Sequence, residues 1–74
     1  MFELLVYVED ELKRYVVEGE VSKARRKAGS LAKLYDSFVD VAHIDGRDWG
    51  DRYITTAEAS PLHSSGYRFV RMED

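Results

Sequence analysis

An α+β fold follows from three features of this 74-residue chain. Apolar residues alternate with a period of two near the start, recur at helical spacing in the middle, and gather into short branched and aromatic runs near the end. The predicted architecture is an antiparallel sheet of four to five strands with one helix packed on one face, in the order ββαββ or ββαβββ. At this length the chain is one domain, residues 1–74, with a small core.

The first strand is read from Phe2, Leu4, Val6 and Val8 on one face against Glu3, Leu5, Tyr7 and Glu9 on the other. Glu9, Asp10 and Glu11 break it, and Tyr15, Val17, Gly19 and Val21 resume the alternation. This predicts a hairpin with an acidic tip. Because the tip has no Asn-Gly or Asp-Gly pair, a loop longer than two residues is expected. Ser22 is the expected cap of the helix that follows. Within 22–35, Ala24, Ala28, Leu31, Ala32 and Tyr35 share a face, and the three alanines would let the helix lie close to a sheet. Leu31, Leu34 and Tyr35 supply bulk at its end. Gly29 costs about 1 kcal/mol against Ala in a helix, so tertiary packing must hold the segment. Phe38 to Ile44 reads as a third strand, Asp45 to Asp51 as a turn around Trp49, Tyr53 to Ala57 as a β-prone run, Ser60 to Gly66 as a loop, and Tyr67 to Met72 as the last strand.

Composition narrows the function classes. The chain has no Cys, which excludes disulfides and thiolate metal sites and fits a reducing, cytoplasmic setting. Its longest apolar run, Leu4 to Val8, is far below the roughly 20 residues of a membrane span, so no membrane is expected. A small core calls for stabilisation by a partner or by self-association, a homodimer included.

Charge is segregated. Residues 21–35 contain Lys23, Arg25, Arg26, Lys27 and Lys33 and no acid, whereas residues 1–20 carry six acids and two bases and residues 36–74 eight acids and four bases. Lysines and arginines are commonly just the solvated side of a helix, or meet acids such as Glu18, Glu20 and Asp36. Against this, Lys23, Arg25 and Arg26 fall at the helix start, where positive charge opposes the macrodipole by about 0.3–1 kcal/mol each. A run from 23 to 33 also spans about 15 Å, enough to follow a row of anionic groups. Lys23, Arg26, Lys27 and Lys33 are therefore the first candidate partner-binding set. Trp49 with Asp48 and Asp51 is the second, an aromatic anchor in an acidic loop that could imitate a phosphate backbone. Counted from Asp45, Arg47 and Trp49 stand where an EF-hand needs oxygen ligands.

Catalysis finds little support. His43 lies in a strand, and His63 beside Ser64 and Ser65 lacks a Gly-x-Ser-x-Gly context. No zinc spacing or Gly-rich phosphate loop is present. The expectation is a non-enzyme with no metal and no cofactor. The fourteen acids of the chain would repel a long duplex, and no RNA-recognition or KH signature appears, so binding to free nucleic acid is not expected. A small nucleic-acid-binding regulator using the basic helix 22–35 is the alternative.

A short Cys-free chain with two opening strands, the helix Ser22-Lys-Ala-Arg-Arg-Lys-Ala-Gly-Ser-Leu-Ala-Lys, and a closing Gly66-Tyr-Arg-Phe-Val-Arg-Met-Glu resembles the small phage-encoded anti-CRISPR proteins that inhibit type I surveillance complexes. The aromatic last strand with Met-Glu near the terminus resembles inhibitors of the type I-E system in particular. The resemblance implies a viral protein acting in the host cytoplasm that binds the CRISPR surveillance complex and blocks its DNA target, without chemistry or cofactor. No functional residue carries over position by position.

Overall fold

Phe2, Leu4 and Val6, alternate residues of the opening strand, are all buried, and they meet Val39, Val41, Ala57 and the helix residues Ala24, Ala28 and Leu31 in one apolar cluster. The computed structural model describes residues 1–71 of the chain. Its elements are β1 (Phe2–Val8), β2 (Glu11–Val17), α1 (Val21–Tyr35), β3 (Val39–His43), α2 (Trp49–Arg52), β4 (Tyr53–Ala59) and β5 (Tyr67–Val70). The five strands form one antiparallel sheet in the order β2-β1-β3-β4-β5, as the α+β reading predicts.

Both β2 and β3 run antiparallel to β1, so they are parallel to each other, and α1 connects them by crossing over the sheet. Ala24, Ala28 and Ala32 are fully buried on the sheet side of α1, which confirms the inward face expected from their spacing. Leu34 is 72% exposed, however, so the bulk at the end of the helix comes from Leu31 and the half-buried Tyr35. Four residues apart, the alanines remove side-chain thickness in a line along the helix and bring its axis close to β1 and β3.

Several expected boundaries move, each for a local reason. The hairpin turn is the tight two-residue type, with Val8 opposite Glu11; Glu9 adopts φ 56°, a left-handed conformation that the sequence rule reserves for Gly or Asn. β2 stops at Val17 rather than running to Val21, because Gly19 turns the chain at φ 101°. The helix then begins at Val21 with Glu20 at the N-cap and no side-chain capping bond, so Ser22 is inside the helix and does not cap it. The loop expected to contain Trp49 holds a single helical turn, capped by the Asp48 carboxylate accepting from the Asp51 N–H at 3.0 Å. β3 is trimmed to Val39–His43, leaving Phe38 47% exposed, and β4 extends to Ala59. Met72, placed in the last strand by the sequence, lies outside the described residues.

Gly29 explains why α1 sits where it does. It is buried, and a Cβ built on it would come within 3.0 Å of three atoms of the Tyr67 ring, which packs against the helix at this point. Tyr67 meets Phe69 edge-on, with ring centroids 5.6 Å apart. The helix therefore leans toward the β5 side and lies over β1, β3, β4 and β5, touching β2 only at Tyr15 and Val17.

Candidate binding surface

The five cations of α1 do not form one stripe. Lys23 and Lys27, one turn apart, face the β2 side, and with Val16, Val17 and Glu18 they line a shallow depression of about 370 Å³. The Lys27 ammonium stands 6.0 Å from the centre of the Tyr15 ring. On the other side of the helix the Arg25 guanidinium covers the Phe69 ring at 5.1 Å, and the Lys33 stem lies against Gly66, whose φ is +85°. Arg26 stays on the exposed crown, where the Ser30 hydroxyl donates to its carbonyl at 3.1 Å. Opposite sides of one helix thus hold cations 23 and 27 and cations 25 and 33, since residues four apart share a side.

Among the described residues, none of these five cations is ion-paired with a carboxylate; the salt bridges present are Arg14–Glu3, Arg52–Glu3 and Arg68–Glu58. The pairing of helix cations with Glu18, Glu20 or Asp36 that the sequence allowed does not occur. The macrodipole also opposes fewer of these cations than the sequence predicts. With the helix starting at Val21, only Lys23 lies in the first turn, while Arg25 and Arg26 belong to the second, where the effect of the terminus has faded.

At the floor of the β2 side, the Tyr15 and Tyr35 hydroxyls meet at 3.3 Å. That hydrogen bond, with a smaller effect of burial, raises the Tyr15 phenol above its ordinary value of 10.0. On the opposite face of the sheet, Tyr7 is raised too, chiefly by burial and then by the neighbouring Asp40 carboxylate. The Asp40 carboxylate also accepts from the Thr56 hydroxyl at 2.7 Å.

The second candidate set sits at the end of that opposite face. Trp49 is 41% exposed, with its ring 5.7 Å from Tyr53 and 5.6 Å from the Arg52 guanidinium. Asp48 is occupied as the cap of α2, and Asp45 and Asp51 are exposed. The group that organises this region was not singled out in the sequence. Glu3 is 3% exposed and is held by Arg14, at 2.6 Å, and by Arg52, whose Nε also donates to the His43 carbonyl at 3.2 Å. Burial without a countercharge is costly for a carboxylate, and two guanidiniums offset that cost. Its signal in the sequence was a lone acid between apolar neighbours in a central strand. Composition cannot supply its partners, which come from β2 and α2.

Ser60 Oγ and His63 Nδ1 are 2.8 Å apart, a contact that resembles half of a nucleophile–base pair. Its surroundings are those of a turn. The His63 N–H donates to the Ser60 carbonyl and the Gly66 N–H to the His63 carbonyl, so the contact closes the β4–β5 loop. Among the described residues no group of three or more His, Asp or Glu side chains is placed to hold a metal ion. No helix among them is long and apolar enough to cross a membrane. A second depression, beside Asp36, Ser37, Phe38, Glu58 and Ala59, has a volume of about 170 Å³. Comparison with protein-family models, curated proteins and solved structures finds no match to this chain.

Proposed function

We propose that this chain is a non-catalytic protein-binding inhibitor, and specifically one that acts as an anti-CRISPR by binding a type I surveillance complex and blocking its recognition of target DNA. The observation that carries the binding reading is the set of helix cations without a carboxylate partner among the described residues: exposed positive charge that no acid within them neutralises. Lys23, Arg26, Lys27 and Lys33 would meet acidic side chains of a CRISPR subunit, or nucleic acid already held by it, while the acids elsewhere orient the encounter and disfavour free DNA. The inhibitor and its anti-CRISPR assignment draw on the resemblance of the helix and last strand; the charged surface supports binding in general.

Purified protein should co-elute with a type I complex and lower its affinity for target DNA. Replacing Arg26, Lys27 and Lys33 together by Glu should weaken that inhibition at least about tenfold, with circular dichroism and melting temperature nearly unchanged. Replacing Asp45, Asp48 and Asp51 by Ser should do less. Failure to associate with any such complex rejects the proposal. Loss of activity in the aspartate variant alone moves the site to the Trp49 loop. Salt-dependent binding of DNA or RNA by the protein alone favours the nucleic-acid regulator instead.

A further inference from the structure

β2 lies at the edge of the sheet, so its backbone N–H and C=O groups on the side away from β1 have no ladder partner. It is seven residues long, pairs with β1 in unbroken register, and contains neither Gly nor Pro. The helix reaches it only through Tyr15 and Val17, and the depression beside Lys23 and Lys27 opens directly onto its end.

The two faces of this edge differ in chemistry. Register puts Lys13 and Tyr15 on the helix side with Lys23 and Lys27 close by, and puts Leu12, Arg14 and Val16 on the opposite side, where Leu12 and Val16 are 53% and 49% exposed and the Arg14 guanidinium between them is paired with Glu3. A strand laid against β2 would present alternate side chains to the helix-side cations and the intervening ones to Leu12 and Val16, on either side of the Arg14–Glu3 pair.

We infer that β2 accepts an extended segment of a partner protein as a sixth strand, with acidic residues turned toward Lys13, Lys23 and Lys27 and alternating apolar residues packed on Leu12 and Val16. This deepens the reading of α1 as a cationic protein-binding surface and rests on it. The added strand gains affinity from main-chain hydrogen bonds and selectivity from its alternation. A second copy of β2 fits less well: antiparallel self-pairing centred on the mid-strand Arg14 sets that guanidinium against its own copy across the two-fold axis. Among the described residues the β5 edge offers no equivalent site, since it is four residues long, Arg68 is paired with Glu58, and Tyr67 and Phe69 fill the helix side.

The test uses isotope-labelled full-length protein and a capped octapeptide of alternating Glu and Val, followed by NMR. Binding should shift the amide signals of residues 11–17 and slow their hydrogen exchange. The same peptide N-methylated at every second residue, which cannot complete a ladder, should lose this effect. A Lys-Val octapeptide should bind at least about tenfold more weakly, and so should the Glu-Val peptide toward a Lys23→Glu/Lys27→Glu variant that keeps its circular dichroism. Added salt should weaken binding further. Equal binding of the methylated peptide, protection outside β2, or no binding overturns the inference, as does a concentration-dependent dimer protected along β2. If charge reversal of α1 abolishes inhibition of a CRISPR complex while the peptide does not bind, the sixth strand is wrong and the proposed function stands. Peptide binding without any effect on such a complex has the opposite meaning.

Discussion

The two edges of the sheet are finished differently although one helix lies between them. On the β5 side, Tyr67 rests on Gly29, Phe69 lies under Arg25, and Lys33 covers Gly66, so aromatic and aliphatic groups fill the angle between helix and strand. On the β2 side the same helix presents Lys23 and Lys27 across a depression, and Val16 stays half exposed. Moving the helix toward one edge uncovers the other, because a single 15-residue helix is too narrow to cover five strands about 4.8 Å apart. The difference separates residues that hold the fold together from residues left available for contact.

The largest effect is expected where helix and β5 approach most closely. Gly29→Ala would gain about 1 kcal/mol in a free helix, yet here the new methyl must displace the Tyr67 ring. Urea denaturation should show a net loss of about 1–3 kcal/mol, and Ala28→Leu, at a fully buried position, should lose a similar amount. A gain in stability for Gly29→Ala would mean that the helix is free to move toward β2. Glu9→Gly examines the hairpin that carries β2. Relieving a non-glycine residue from φ 56° should raise stability by about 1 kcal/mol, read from the melting temperature.

Smaller effects are expected from the open side itself. Lys23→Gln with Lys27→Gln should change stability by less than about 0.5 kcal/mol, since neither lysine is ion-paired among the described residues. A large loss would show that these cations serve the fold. Least of all should be the titration of Tyr15, followed by phenolate absorbance. Its hydrogen bond to Tyr35 keeps the proton on above 10.0, so the associated stabilisation is complete below pH 10.0 and is lost as pH rises through the higher folded value. In Tyr35→Phe the Tyr15 phenol should titrate closer to 10.0; an unchanged curve would remove the hydroxyl pair as the cause.

Much of the architecture was legible because periodicity reports which face is buried. The alternation at Phe2, Leu4 and Val6 and the alanines at 24, 28 and 32 point to the faces that are buried in the structure. Turn and cap positions were less readable, since Glu9 and Glu20 occupy backbone roles that composition assigns to other residues, and only the surrounding pairing fixes them there. The cations were legible as a group, and helical spacing divides them between two sides; which side is filled and which stays open was not legible, because it depends on the lean imposed by Tyr67 from a strand far away in the chain. Glu3 and its two arginines were unreadable for the same reason: three separate elements meet only after the sheet has formed.

The order of strands also bears on how the chain folds. β1 finds β2 through a two-residue turn, whereas Phe2 reaches its β3 neighbour His43 about forty residues further along. A hairpin closes in about 1–10 μs, while a distant pairing waits on a larger entropy loss. In that interval the inner edge of β1, with Leu4 and Val6, faces water beside unpaired backbone groups. The edge left open in the native protein carries Lys13 and Arg14, but this transient edge has no basic residue in β1 to discourage association. Aggregation during refolding should therefore fall when docking of β3 is accelerated, with light scattering at rising protein concentration as the measurement.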